Sequence, residues 1–379
     1  MDEHKTVIIL GGTGFVGRAV TEKYLKNKWR VVIPTRSRNL AEAKNKLLSH
    51  GFDENSLENF LSANLLLFAL DVDLSEKKWS EPDNWSRLLR EINIPIFSIL
   101  RVINFVGETS KSAEEILKSN INTLVSIFTL VRYIKSQNKS TIFVNMGSVV
   151  EKRSNTNLSP YEYAKKVAYQ EIKKSNLCDF HFIAEYIKGR GEQKMKSVAP
   201  ILWQKLKFSH RWFFGFKVSV IDVDDLAEVI YHLIEETKIK QQRFKPIEVY
   251  VTNGELTFGE IVKNLLPESN RSIPKQIFPN WLAFLFLYFY SLIIPQIKPN
   301  DQFIRRLANF AERSIKKENK TDGFKTAEEI KKMALDSKKY EILEKEPSLI
   351  ISDKQSPVIY VLIEKNEIEL KLIVQKALL

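Results

Sequence analysis

Leu10-Gly11-Gly12-Thr13-Gly14-Phe15-Val16-Gly17 closes an apolar run at 6–10 and opens a helical pattern at 18–27. A strand, a glycine turn and a helix in that order suit a bound dinucleotide. One glycine permits the tight turn, a second lets the backbone approach a pyrophosphate, and a third packs the helix on the strand. The phosphates would then sit at the positive end of the helix dipole. Gly11, Thr13, Gly14, Phe15, Val16 and Gly17 form the candidate cradle. A glycine-rich turn that holds no ligand is the alternative.

Outward from this turn, short apolar runs alternate with helical patterns. Strands are expected at 30–33, 65–70, 101–105, 141–145 and 179–184, and helices at 112–136 and 161–174. Continuous apolar strands separated by helices predict a parallel sheet covered on both faces. The expected fold class is therefore α/β, a Rossmann-type doubly wound sheet with a smaller C-terminal substrate region and an added tail. Residues 1–185 would form the dinucleotide domain, with 218–251 returning to it as strand, helix and strand. Residues 186–310 would cover the substrate. The tail, 311–379, reads as charged and helical, with a hairpin of two strands at 357–364 and 368–375.

The end of the second strand selects between nucleotides. An acid there would hold a ribose 2′-hydroxyl, whereas arginine accepts a 2′-phosphate. The stretch Pro34-Thr35-Arg36-Ser37-Arg38 has no acid. Arg36 and Arg38 can clamp a phosphate through charge-assisted hydrogen bonds, which favours NADP(H) over NAD(H); solvated arginines at a helix start are the alternative. After the third strand, Asp73 could face the adenine amino group, with Leu74 packed on the ring.

Tyr161-Glu162-Tyr163-Ala164-Lys165 follows Ser148 by thirteen residues. Tyr161 and Lys165 are four apart and share one helix face. An ammonium beside a phenol favours the phenolate, so Tyr161 can exchange a proton with a substrate oxygen. Ser148 can hydrogen-bond the same oxygen. The alternative is a surface tyrosine and lysine on an ordinary helix.

Together these stretches resemble the short-chain dehydrogenase/reductase superfamily, in its extended or atypical branch. The matching pieces include Gly11 to Gly17, Asn104-Phe105-Val106-Gly107, Asn120, Gly147-Ser148, Tyr161 with Lys165, and Val220-Ile221-Asp222-Val223-Asp224-Asp225-Leu226-Ala227. The stretch at 102–107 and Pro299-Asn300-Asp301-Gln302 are similar to the NADPH-binding accessory subunits of respiratory complex I and their bacterial relatives. The resemblance implies that Lys165 also holds the nicotinamide ribose and that Asn120 fixes a water in a proton relay. It further implies that Asn104 and Val106 line the cofactor. One departure stands out: where the superfamily often has Arg-Pro-Gly after the sixth strand, this chain has Glu185-Tyr186. That alters the nicotinamide pocket and keeps open a non-catalytic, NADPH-binding scaffold beside the reductase reading.

Composition narrows the function classes. The chain has 379 residues, 44% hydrophobic and 27% charged, as in ordinary globular proteins. One cysteine, Cys178, excludes an internal disulfide framework, and five scattered histidines suggest no metal. The N-terminus lacks the pattern of a secretory signal, so a cytoplasmic location is expected, with a peripheral position at the inner face of a membrane as a variant. The formal charge of +12 points to an anionic partner, and its excess lies in 188–217, with eight Lys/Arg and one acid. No nucleic-acid motif accompanies it. Lysines there interleave with aromatics at 203–216, and 281–294 is an almost unbroken apolar run too short to span a bilayer. Both stretches fit a partly apolar, anionic small-molecule substrate, a peripheral membrane contact or burial in the core or a homodimer.

Overall fold

The computed structural model describes residues 4–107, 113–152, 158, 160–190, 217–236, 246–257, 260, 325, 327–336, 340–344, 348–353, 356 and 358–363. Its centre is a ten-stranded sheet. The parallel part begins with β1 (Thr6–Leu10), β2 (Arg30–Pro34), β3 (Leu66–Ala69), β4 (Ile99–Asn104), β5 (Ile142–Met146) and β6 (Phe180–Ile183), and continues through β9 (Ile247–Thr252) to β13 (Val358–Ile363). Across the sheet, β3, β2, β1, β4, β5, β6, β9 and β13 lie in that order, so the direction of winding reverses between β1 and β4. Such a reversal leaves a crevice at the carboxyl ends of the strands. The expected Rossmann class is what the chain adopts.

Alternation along each strand divides the core. Val7 and Ile9 of β1 face one layer, and Ile8 and Leu10 the other. The first layer is covered by α1 (Phe15–Lys26) and α8 (Val223–Glu236); the second by α4 (Pro82–Glu91), α6 (Thr123–Gln137) and α7 (Pro160–Ser175). With both faces buried, every position of β1 must be apolar or fully hydrogen-bonded, which is why it reads as an unbroken run. Short helices that apolar runs alone do not announce complete the β2–β3 crossover, α2 (Leu40–Ser49) and α3 (Glu54–Ser62). Each has a capping residue: Asn39 accepts from Glu42 N, and Asp53 from Ser56 N.

The long helix expected at 112–136 is interrupted. It consists of α5 (Ala113–Leu117), one π-helical turn (Lys118–Asn122) and α6. Side chains cause competition inside the turn: Asn120 Nδ2 donates to Ile116 O (2.8 Å), and Thr123 Oγ1 to Ser119 O (2.6 Å).

Part of the tail, expected to be charged and helical, lies within the described residues. Its described residues form one short helix, α9 (Ala327–Met333), and the strands β11 (Tyr340–Glu344), β12 (Ser348–Asp353) and β13. The strand near 357–364 forms, but its edges are taken by β12, antiparallel, and by β9, parallel. The second strand of the expected hairpin, 368–375, lies outside the described residues. Ile359, Val361 and Ile363 join the core layer of Val7 and Ile9, while Tyr360 and Leu362 pack with Val149, Ile183, Tyr250 and Ile330 on the other face. A small side sheet of β7 (Tyr186–Lys188), β8 (Lys217–Asp222) and β10 (Gly254–Thr257) stands at the carboxyl side of β6.

Candidate active site

The glycine turn lies at the reversal point. Gly11 has φ +77°, a left-handed conformation, and a Cβ there would come within 3.0 Å of Phe105 C and 3.1 Å of Val106 N. A Cβ on Gly17 would collide with Gly11 O. These two positions demand glycine, and they bring the start of α1 onto the β4 loop. Phe15 is buried in the core, so only its backbone can face a ligand. The first N–H groups of a helix have no intrahelical acceptor, and those of α1 meet the crevice, as a pyrophosphate requires. The cradle fits a dinucleotide: Gly11, Thr13, Gly14 and the N–H groups of Phe15 and Val16 can hold it.

Arg36 and Arg38 are both exposed beyond β2. Between them Ser37 is buried, its Oγ 3.1 Å from Thr35 Oγ1. Lys46 on α2 reaches back to donate to Ser37 Oγ (2.9 Å) and to Glu42 (2.7 Å). This third cation, bonded to Ser37 between the arginines, was not signalled by the motif, because it lies eight residues beyond Arg38. Asp73 turns one carboxylate oxygen onto Ser75, accepting from its N (2.9 Å) and Oγ (2.8 Å). Leu74 is buried with Val72 and Trp79 in the core, so its side chain belongs to the packing beneath the crevice.

Three of the expected groups converge. Lys165 Nζ stands 6.0 Å from the centre of the Tyr161 ring, one turn along α7. A Cβ on Gly107 would lie 3.2 Å from Asn120 Oδ1 and 3.3 Å from Lys165 Nζ, so the β4 loop, the π-turn and α7 meet there. Ser148 sits on the adjoining loop after β5, its backbone N donating to Glu151 Oε2 (3.2 Å). Asn104 and Val106 line a narrow polar cleft with Asn120, Asn145, Glu151 and Lys165. Val106 N donates to Asn104 Oδ1 (3.0 Å), which turns the Asn104 side chain inward.

Two polar clusters under this cleft escaped the motif reading. Glu151 and His181 are buried 30 residues apart, with His181 Nε2 2.5 Å from Glu151 Oε1. Their signal was available: a histidine and an asparagine in doubly covered strands, His181 in β6 and Asn145 in β5, must find partners. Beside them, Lys152 and Tyr169 both donate to Glu248 on β9. Burial pushes the Tyr169 phenol up, and Glu248 adds to the shift. Burial also pulls the Lys152 ammonium down, against the pull of Glu248. For Glu248 burial works upward, but hydrogen bonds from Lys152 and Tyr169 hold its carboxyl below the ordinary value.

At Glu185, the departure noted in the sequence, the carboxylate accepts the Ser219 N–H (2.8 Å) and ties β6 to β8. The stretches 203–216 and 281–294 lie outside the described residues. Among the described residues no helix is long and apolar enough to cross a membrane, and no group of three or more His, Cys, Asp or Glu side chains could hold a metal.

The profile of the NAD dependent epimerase/dehydratase family matches residues 7–245. A search of curated proteins finds no match. Among solved structures, the terminal R domain from the myxalamid PKS-NRPS biosynthetic pathway superposes with TM-score 0.55 at 11% identity, covering 81% of this chain and 78% of that one. The protein gox2253 superposes with TM-score 0.53 at 15% identity, covering 85% and 94%. The Bordetella bronchiseptica enzyme WbmH in complex with NAD+ gives 0.48 at 15%, covering 72% and 83%. At these identities the first two likenesses are likenesses of fold.

Proposed function

From the premise that the chain belongs to the NAD dependent epimerase/dehydratase family, and is an enzyme of the NAD(P)-dependent dehydrogenase/reductase type, we propose that it is an NADPH-dependent oxidoreductase. Its substrate would carry a carbonyl or alcohol on a partly apolar, anionic molecule. The observation that supports this most is the meeting of Lys165 and Asn120 at Gly107, with Tyr161 one turn along the same helix from Lys165. NADP(H), when bound, supplies or takes up the hydride. Tyr161 Oη gives its proton to the forming alkoxide or takes it from the alcohol. Lys165 holds the phenol's charge and the nicotinamide ribose, Ser148 Oγ donates to the carbonyl oxygen, and Asn120 holds a water that returns the proton. The basic and aromatic residues of 188–217 would meet the anionic end and the apolar body of the substrate.

Arg36 and Arg38, with Lys46 behind them, support the 2′-phosphate. Calorimetric titration should show NADPH binding at least about ten-fold tighter than NADH, with the gap narrowing in Arg36→Ala. Equal affinities in the wild type would overturn the nucleotide preference.

A second reading draws on Glu185, whose carboxylate serves as a tie between strands. Under it the chain binds NADPH without turnover, as a scaffold like the accessory subunits it resembles, and contacts a membrane through 203–216 or 281–294. Flotation with anionic vesicles tests this: binding that fades with salt supports it, and a protein that stays at the bottom of the gradient removes it. Cytoplasmic location and homodimer formation belong to the reductase reading.

A further inference from the structure

One unbroken chain of hydrogen bonds through buried side chains runs along the cleft from the β4 loop to the β5 loop. Val106 N donates to Asn104 Oδ1 (3.0 Å). Asn104 Nδ2 donates to Asn145 Oδ1 (2.7 Å), and Asn145 Nδ2 lies 3.1 Å from His181 Nδ1. His181 Nε2 lies 2.5 Å from Glu151 Oε1, and Ser148 N donates to Glu151 Oε2 (3.2 Å). All four side chains are buried, His181 completely.

The backbone fixes the direction of every bond. Val106 N–H can only donate, so it sets the Asn104 amide with its oxygen toward Val106 and its nitrogen toward Asn145. Asn145 must then present its oxygen to Asn104 and its nitrogen to His181. His181 therefore accepts at Nδ1 and carries its proton on Nε2, which donates to Glu151. Ser148 N–H, also a fixed donor, meets the other oxygen of the same carboxyl. The two Glu151 oxygens thus accept one bond each, from His181 and from Ser148. Flipping either amide or moving the histidine proton would set two donors face to face. Gly147 makes the arrangement possible: a Cβ there would collide with His181 Nε2 and lie 2.6 Å from Glu151 Oε1.

We propose that Glu151 and His181 are positioning residues for the nicotinamide end of the site, locking the 105–107 and 147–148 loops to each other through this polarised chain. The proposal rests on the reductase reading. The Ser148 loop would carry the group that meets the carbonyl, and the Val106 loop would flank the nicotinamide. Both are held by a backbone N–H at one end of the chain. The adenosine end, at the start of α1 and beyond β2, lies outside it. Loosening the chain should therefore weaken only the part of the cofactor that the two loops order.

Calorimetric titration of the full chain with NADPH and with 2′,5′-ADP, which lacks the nicotinamide, tests this without a known substrate. Glu151→Gln can accept from His181 or from Ser148 but not from both. It should weaken NADPH about ten-fold and leave 2′,5′-ADP within about two-fold. His181→Phe should do the same, by removing the donor to Glu151. His181→Gln, which can accept from Asn145 and donate to Glu151, should restore NADPH binding. If Glu151→Gln does not fold, the two His181 variants decide. Equal effects of His181→Phe and His181→Gln, or losses shared by both nucleotides, would overturn the positioning role while leaving the reductase reading standing. A wild type that binds neither nucleotide would remove the reductase reading, and this proposal with it.

Discussion

Tyr161 and Lys165 share a face of α7, and Lys165 and Asn120 close round Gly107; under the proposed function the Tyr161 phenol passes the proton. Nothing in the pyrophosphate cradle depends on it. Tyr161→Phe should lower any carbonyl reduction by ~100- to 10,000-fold, as removal of a general acid does, while NADPH affinity stays within a few-fold. Steady-state rates beside a binding titration check this. Retained turnover in the variant would assign the proton to another group. At this scale the sequence was informative wherever a residue type has a fixed offset. Gly11, Gly17, Tyr161 and Lys165 are tied to their neighbours by one turn of backbone. Glu151 and His181 are joined only by the pairing of β5 with β6, and no spacing announces a partner 30 residues away.

Between elements, α1 and α8 are clamped by charge as well as by apolar packing. Lys23 of α1 pairs with Glu228 of α8, and beside this pair the wholly buried Arg18 donates to Glu22 (2.9 Å), with Arg190 donating to the same carboxylate (2.7 Å). Burial works to raise the Glu22 pKa, but Lys26, Arg190 and Arg18 outweigh it and hold it below the ordinary 4.5. A depressed folded pKa adds stability above the unfolded value, and that stability is lost as pH falls through the folded value. Glu22→Gln should therefore cost up to ~3 kcal/mol near neutral pH, with the deficit shrinking as pH drops below about 4.5. Urea melts at several pH values read it directly; a deficit independent of pH would mean that charge is not what Glu22 contributes. The strands on either side of these helices were legible because both faces are covered. The interruption of the helix at Lys118–Asn122 was not, since it arises from Asn120 and Thr123 competing for backbone carbonyls, which periodicity does not register.

Across the whole molecule, the described strands of the tail belong to the main sheet. Ile350, Ile351, Ile359, Tyr360, Val361, Leu362 and Ile363 are all buried. At ~1.5–3 kcal/mol for each large apolar side chain they contribute more than ~10 kcal/mol, comparable to the whole net stability of a domain. A chain ending at residue 336 should therefore show no cooperative melting transition and should bind the dye ANS; a sharp melt near that of the full chain would show the tail to be dispensable. The strand at 358–363 could be read from its apolar run. Its parallel partner could not, because sequence adjacency favours a hairpin and β9 lies more than a hundred residues earlier.

That distance has a consequence for how the protein is made. Strand β9 pairs with β6 on one side and with β13 on the other. While the ribosome works through the residues between 252 and 358, the second side has nothing to pair with. At typical elongation rates this lasts roughly 5–20 s. Throughout that interval the nascent chain carries an open row of N–H and C=O groups flanked by apolar side chains, the template on which β-aggregation begins. The nascent chain should therefore call on chaperones through a window that closes only when β13 arrives.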